Sequence, residues 1–187
     1  ITLFFSNSNI FPEREYFKRL EGAEKLAEIV QCPLIRDAYD HNAWRKYIHG
    51  YENMPEGGQR CGLCFEFNLN RAARYARLHK FDNITTTLTI SPHKRTGSIF
   101  SVGAGIRGFL PIDFKKQNGF KRSVTLSKQY KLHRQNYCGC EFSMCSSINR
   151  NLNPPSSNGP SSETTSKSSA SGKKTSAVEG RSSTTVR

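Results

Sequence analysis

Short, continuously apolar runs alternate with helix-period segments along the first two-thirds of the chain, and that alternation leaves few folds open. Ile1–Phe5 (ITLFF) is apolar almost throughout and predicts a buried strand. The polar turn SNSN follows. Pro12 stands where a first helical residue belongs, with Glu13 and Glu15 in the first turn, where acidic groups suit the helix dipole. Tyr16, Leu20, Ala23, Ala27 and Val30 recur at helical spacing and predict an amphipathic helix over 12–30. Pro33-Leu34-Ile35 predicts a second strand. Residues 41–49 predict a short helix around Trp44, with Gly50 as its stop. After the loop 51–60 (YENMPEGGQR), a helix is expected from Cys61 to about His79. Asn83–Ile90, rich in Thr and Ile, predicts a third strand and Phe109–Phe114 a fourth. Residues 97–108 carry four glycines and no clear period, and Phe120–Leu132 reads as a basic helix.

Strands without polar alternation are those covered on both faces. The expected fold is therefore α/β: a three-layer Rossmann-like, mostly parallel sheet with helices on both faces, followed by a disordered tail. Chemistry in such sheets collects in loops at the strand carboxyl ends. That edge is expected to hold Asp37–Asp40, Ser91–Lys94 and Asp113–Lys116.

Hydrophobic residues make up 35% of the 187, and the mean hydropathy is −0.62, low for a compact domain. Residues 146–187 account for the dilution. They are Ser, Thr, Lys, Pro and Gly with almost no large apolar side chain, and cannot bury enough surface to offset the entropy of ordering. The division expected is a folded domain over 1–145 and a disordered tail over 146–187. No apolar run approaches the roughly 18 residues of a membrane span, and ITLFF is too short and too poor in basic flanks for a signal peptide. The start at Ile1, inside an apolar run, is how a fragment begins.

The formal charge is +13. Residues 150–187 hold six Lys or Arg against two Glu, so +9 remains on 1–149. Such a surface suits a polyanion, nucleic acid above all, although a solvated basic face fits the number equally well. Lys115–Lys116, Lys121–Arg122 and Lys128–Arg134 are interleaved with Phe114, Phe120, Tyr130 and Tyr137, a mixture suited to phosphate contacts and base stacking.

Six cysteines are present: Cys32, Cys61, Cys64, Cys138, Cys140 and Cys145. Without an export signal, a reducing compartment such as the cytoplasm is expected, where clustered cysteines more often bind metal or do redox chemistry than staple a fold. Cys61 and Cys64 lie three apart at the start of a helix, which sets both sulfurs on one face and favours thiolate. Metal ligation, a redox disulfide and plain core packing all remain open for that pair. Cys138 and Cys140 flank one glycine and can close a small strained ring of the labile, catalytic kind; two ordinary buried thiols, or one tetrahedral zinc site made from all four cysteines, are the alternatives. Cys32 reads as core packing and Cys145 as incidental. His41, His49 and His79 read as surface residues, while His93 and His133 draw more weight from their neighbours. No P-loop, dinucleotide glycine fingerprint or Ser-His-Asp pattern is present.

Taken in order, FSNSNIFPEREYFKR, the Tyr39, Asp40 and Trp44 set, MPEGGQRCGLCF at 54–65, TTTLTISPHK at 85–94 and DFKKQNGFKRSVTLSKQYKLHRQNYCGCEFS at 113–143 resemble the QueH-type epoxyqueuosine reductases over nearly all of 1–143. The paired PEGG-x-RC-x-x-CF and YCGC elements are the specific part. The resemblance implies reduction of epoxyqueuosine to queuosine at the tRNA anticodon wobble position. It implies a [4Fe-4S] cluster held in part by Cys61 and Cys64, and a redox-active pair, Cys138 and Cys140. It also implies an additional iron ion with a carboxylate ligand, for which Asp40 is the candidate. The partners implied are a tRNA bearing epoxyqueuosine and an electron donor of unknown identity, with Ser91, Lys94, Lys115 and Arg134 as substrate contacts. Three departures stand out. The first strand and Cys-Cys loop usual in the family are missing ahead of Ile1, so a truncated copy is expected. His93 and His133 stand where tyrosine is common. Residues 95–108 are shorter and richer in glycine than the usual helix. Two other readings stay beside the reductase: a zinc-stabilised RNA-binding module, and an inactive fragment of the reductase.

Overall fold

The computed structural model describes residues 1–145; the disordered tail expected over 146–187 lies outside the described residues. The described chain mixes helices with a small parallel sheet. Strand β1 (Leu3–Phe5) leads through helix α1 (Glu13–Ile29) to strand β2 (Leu34–Arg36). The strands pair in parallel with Leu3 opposite Leu34, Phe4 opposite Ile35 and Phe5 opposite Arg36. Leu3 N donates to Pro33 O at 2.8 Å and Asp37 N to Phe5 O at 3.0 Å, extending the ladder at both ends. A parallel pair needs a crossover, and α1 supplies it.

Helix α1 forms where the periodicity predicts it. Its first turn carries Glu13 and Glu15, and it buries Tyr16, Leu20 and Ala27. Pro12 is the residue before the helix rather than its first, and Val30, expected on the buried stripe, is exposed because the helix ends one residue earlier. Tyr16 and Leu20 pack with Ile10 and against Phe5, Leu34 and Tyr39, forming the core between helix and sheet. Helix α2 (His41–Tyr47) opens with Asp40 as its cap, whose Oδ1 accepts from Ala43 N at 2.8 Å. Helix α3 (Gln59–Leu78) starts two residues before the expected Cys61. Trp44 and Ile48 are fully buried between α2 and the start of α3, with Cys140 in the same cluster.

The second half departs more from expectation. The strand predicted over 83–90 is a single parallel bridge, Ile84 to Phe109, followed by a 3₁₀ turn at Thr87–Ile90. The threonines explain it. Thr86 Oγ1 accepts from Leu88 N at 3.2 Å and caps the turn. Thr89, fully buried, donates to Ile112 O at 2.9 Å and accepts from Phe114 N at 3.2 Å. Hydroxyls thereby take over partners that a strand ladder would have supplied. The strand predicted over 109–114 likewise ends at its one bridge. Gly108 sits there with φ +80, and a Cβ would lie 2.3 Å from Asp82 O, so only glycine lets the two segments meet. The unassigned stretch contains helix α4 (Thr96–Gly103), which buries Ile99 and packs on α3. Helix α5 (Gly119–Gln129) buries no residue and stops three residues before the expected end. Of the three-layer sheet expected, the described residues hold the two parallel strands and the isolated bridge.

Candidate active site

The two cysteine pairs lie near enough for Cys138 and Cys140 to act on the charge of Cys61 and Cys64, although one pair is on α3 and the other follows α5 by several residues. The Cys138-Gly139-Cys140 turn is held against α1. Arg19 is the clamp: Nη1 donates to Cys138 O at 3.1 Å and Nη2 to Tyr137 O at 3.3 Å, while Glu15 fixes the guanidinium from one turn back at 2.8 Å. Burial opposes a charge on Glu15, yet its bonds to Arg19 and His133 outweigh that and hold its carboxyl below the usual range. Phe11 N donates to Gly139 O at 2.8 Å. Gly139 has φ +133, and a Cβ would lie 2.9 Å from Arg19 Nη1, so the turn between the two cysteines requires glycine.

The two sulfurs of that turn differ. Cys140 is buried against Trp44 and Ile48, and its Sγ meets Ser143 Oγ at 3.4 Å. Cys138 is half-buried, and Lys94 Nζ lies 3.0 Å from its Sγ. Burial disfavours the charge on Lys94, but the Cys138 sulfur outweighs it, with Cys64 and Cys61 adding, so the ammonium is held more firmly than usual. Lys115 supports the loop beneath: its Nζ donates to Lys94 O at 2.9 Å and Ser91 O at 3.3 Å.

At the other side, Cys61 accepts from Gly57 N at 3.2 Å, the contact that the glycine-rich loop before α3 permits. Burial pushes the Cys61 thiol up; Gly57 N–H opposes this, and the Cys138 and Cys140 sulfurs add to it. Cys64 is pushed up much further, by burial first and then by Cys138, with Trp44 opposing. Arg60, next to Cys61, is buried at 4% exposure. Its Nη1 donates to Glu52 O and Met54 O, and its guanidinium stacks on Phe142 at 4.6 Å. Among the described residues, neither Arg60 nor Lys94 pairs with a carboxylate. Lys94 therefore faces Cys138 with Cys64 and Cys61 nearby, while Arg60 opposes the upward shift of Cys61; burial still outweighs these cations at Cys61 and Cys64.

Two buried donors bear on whether an anionic sulfur-rich group fits. Arg60 Nε has no hydrogen-bond partner among the described residues, and Trp44 Nε1 makes no well-formed one, acting on the Cys64 sulfur only enough to oppose its upward shift. Trp44 belongs to the cluster on which Cys64 packs, and Arg60 adjoins Cys61. Orphaned donors beside two thiols suit a thiolate-bound group that accepts hydrogen bonds, so the residues fit part of an iron–sulfur site. The fit does not extend to a complete mononuclear site: among the described residues, no three His, Cys, Asp or Glu converge to hold a metal ion.

The remaining expected residues sit as follows. Asp40 caps α2. Ser91 ends the 3₁₀ turn and gives its carbonyl to Lys115. Arg134 is exposed, in the segment ahead of the cysteine turn. Cys32 is half-buried and donates to Ile1 O at 3.3 Å, at the sheet rather than in a core, and Cys145 is exposed. His49 and His79 are on the surface as expected, whereas His41 is not. Its Nδ1 bonds Ser8 O at 2.9 Å, its Nε2 lies 3.4 Å from Glu141, and its ring stacks between Phe11 and Trp44. Sequence reasoning also missed Arg19, Arg60 and Ser143. The i,i+4 spacing of Glu15 and Arg19 was the one local sign.

Comparison with known proteins adds a second line. A family model described as epoxyqueuosine reductase QueH matches residues 1–146. The chain is 39% identical over 155 residues to the epoxyqueuosine reductase QueH of Streptococcus pyogenes, covering 76% of this chain and 60% of that protein. It is 34% identical over 155 residues to that of Staphylococcus aureus, covering 76% and 65%. It is 35% identical over 150 residues to that of Thermotoga maritima, covering 75% and 78%. The chain thus spans 60% and 65% of the length of the first two.

Proposed function

The chain belongs to the epoxyqueuosine reductase QueH family, and from that premise we propose that it reduces epoxyqueuosine to queuosine at the tRNA anticodon wobble position, the last step of queuosine biosynthesis. The balance is simple: the epoxide oxygen leaves as water, and the substrate takes up two electrons and two protons. A dithiol that becomes a disulfide supplies both, and Cys138 with Cys140 is the pair proposed for that role. The catalytic domain is assigned to 1–145, in the cytoplasm, with the three-layer Rossmann-like arrangement as its proposed full architecture.

The observation that supports this reading best is the convergence of the two cysteine pairs beside cations without carboxylate partners. Cys61 and Cys64 would hold a [4Fe-4S] cluster together with thiolates beyond these two. When bound, such a cluster supplies single electrons and a Lewis-acidic iron. Beside these two sulfurs, Gly57 N–H donates to Cys61, Trp44 opposes the upward shift of Cys64, and Ile48 and Phe142 belong to the same apolar cluster as Cys64. An additional iron ion is proposed at the Asp40 carboxylate, whose Oδ1 also caps α2. On the RNA side, Lys121, Arg122 and Lys128 on α5 are exposed, as is Arg134 beyond it. These suit phosphate contacts, and Ser91, Lys94 and Lys115, tied together by the Lys115 ammonium, are proposed as further substrate contacts. The electron donor is a separate, unidentified partner. The zinc-stapled reading is weaker, because Zn²⁺ on all four sulfurs would have to displace the Lys94 ammonium from Cys138.

The test is anaerobic reconstitution with iron and sulfide, followed by a visible spectrum, iron and zinc analysis, and assay of epoxyqueuosine-containing tRNA with a chemical reductant. A brown, iron-loaded protein that yields queuosine, and whose Cys61→Ala/Cys64→Ala variant binds no iron, is expected. A colourless protein loaded with zinc would sink the reductase reading.

A further inference from the structure

Cys138 and Cys140 are separated by one glycine, yet they stand in opposite surroundings. Cys138 is half-buried, and its sulfur lies 3.0 Å from the ammonium of Lys94, 44 residues away in the chain. Cys140 is 7% exposed, packs on Trp44 and Ile48, and meets a hydroxyl. Lys94 does not reach Cys138 by chance of a floppy side chain. Its carbonyl is held by Lys115 Nζ at 2.9 Å, its N–H donates to Ser91 O at 3.3 Å, and Lys115 also grips Ser91 O. Cys138 is held from its other side by Arg19 on the Cys138 carbonyl. Both partners of the contact are thus fixed through their backbones by other cations.

We propose that Lys94 is a positioning residue that makes Cys138 the exchanging sulfur of the pair, the one at which a dithiol electron donor enters, and leaves Cys140 as the resolving sulfur. This rests on the redox-pair reading above. In the oxidised state one disulfide joins the two residues. A thiolate of the donor attacks Cys138 Sγ, the accessible sulfur; the internal S–S bond breaks, and Cys140 Sγ leaves and takes a proton. The second donor sulfur then attacks the mixed disulfide and releases Cys138 Sγ as a thiolate, whose charge Lys94 meets at hydrogen-bond distance. The donor departs as a disulfide, having given two electrons, and the pair is left reduced. A cation at hydrogen-bond distance from one sulfur meets the charge that develops on it as leaving group and as nucleophile, while burial keeps the other sulfur out of a donor's reach.

The experiment needs no bound metal. The full chain is reduced, freed of metal with a chelator, and exposed briefly to limiting iodoacetamide; peptide fragmentation then reads the label at Cys138 and Cys140 separately. Cys138 is expected to label about tenfold faster than Cys140. Lys94→Met is expected to slow Cys138 by a similar factor, and Lys94→Arg to restore most of the rate, since it keeps the cation. A purely structural role for Lys94 would instead raise labelling at both cysteines in Lys94→Met as the turn loosens, with no rescue by arginine. Equal labelling of the two cysteines in the unmodified chain, or an unchanged rate at Cys138 in Lys94→Met, would overturn the proposal. If Lys94→Met does not fold, the ratio in the unmodified chain and the Lys94→Arg rate still decide. Failure to take up iron would count against the reductase reading and leave this measurement untouched.

Discussion

The stretch 1–80 and the stretch 82–134 solve the same problem in different ways. The first buries aromatic and aliphatic side chains: Tyr16 and Leu20 under the sheet, Trp44 and Ile48 between α2 and α3. Rings stack from Phe11 through His41 to Trp44. The second, apart from α4 with its buried Ile99, is held largely by hydroxyls and loop carbonyls. Thr85 donates to Leu110 O, Thr89 to Ile112 O, and Lys115 to two carbonyls, while α5 buries nothing. The difference matches the proposed tasks. A sulfur site needs a dry, rigid wall, because charge interactions there are strong only when water is kept out. A face for a polyanion needs exposed cations on a light frame, since each phosphate contact forms in water and is worth little to folding.

The contrast can be broken most directly at Trp44. Trp44→Ala is expected to destabilise the chain by about 3–5 kcal/mol, as large core truncations do, measured by urea denaturation. A loss near zero would mean that the aromatic cluster is not the stabilising wall. Arg60 comes next. Arg60→Met keeps the bulk but leaves the carbonyls of Glu52 and Met54 unsatisfied, and a loss of about 2–3 kcal/mol is expected. The same variant should bind less iron on reconstitution. On the other side of the comparison, Thr89→Val preserves shape and removes one buried hydroxyl that serves two backbone groups. It is expected to cost about 1–2 kcal/mol, and if it costs as much as Trp44→Ala the two halves are not distinct in kind.

A smaller effect tests the seam near the end of β2. Burial opposes ionisation of Asp37, but its bonds to Arg71 and Ser6 outweigh that and hold the carboxyl below its usual range. Because the folded pKa is the lower one, the resulting stability is present in full above the unfolded value of about 3.9 and is lost as pH falls through the folded value. Asp37→Asn is therefore expected to lower Tm at pH 7 and to flatten the acid limb of the Tm profile between pH 5 and pH 2. The smallest expected effect on stability is in α5. Lys121→Glu with Arg122→Glu should change stability by less than about 0.5 kcal/mol. It should nonetheless weaken tRNA binding and reduce its salt dependence, read by filter binding at two ionic strengths.

Legibility followed the same division. Helix α1 could be read to within a residue or so, because its buried face repeats at a single period. The strand over 83–90 was misread because Thr and Ile favour strands when their hydroxyls are idle, and here Thr86 and Thr89 spend theirs on turns. His41 was assigned to the surface because a short polar helix gives no sign of which loop will stack on it.

What the sequence determined alone is local. The helical stripe of α1, the spacing of Cys61 with Cys64 and of Cys138 with Cys140, and each family motif taken singly are written within short stretches of chain, and the excess of basic charge needs only a count. What only the tertiary structure decided is pairing at a distance: Lys94 on Cys138 across 44 residues, Arg19 on the Cys138 carbonyl across 119, and Arg60 beneath Phe142. A repeat of period 3.6 or 2 records which face of an element is buried. A single long-range hydrogen bond has no period, so the asymmetry between the two sulfurs of one turn emerges only when the chain has folded.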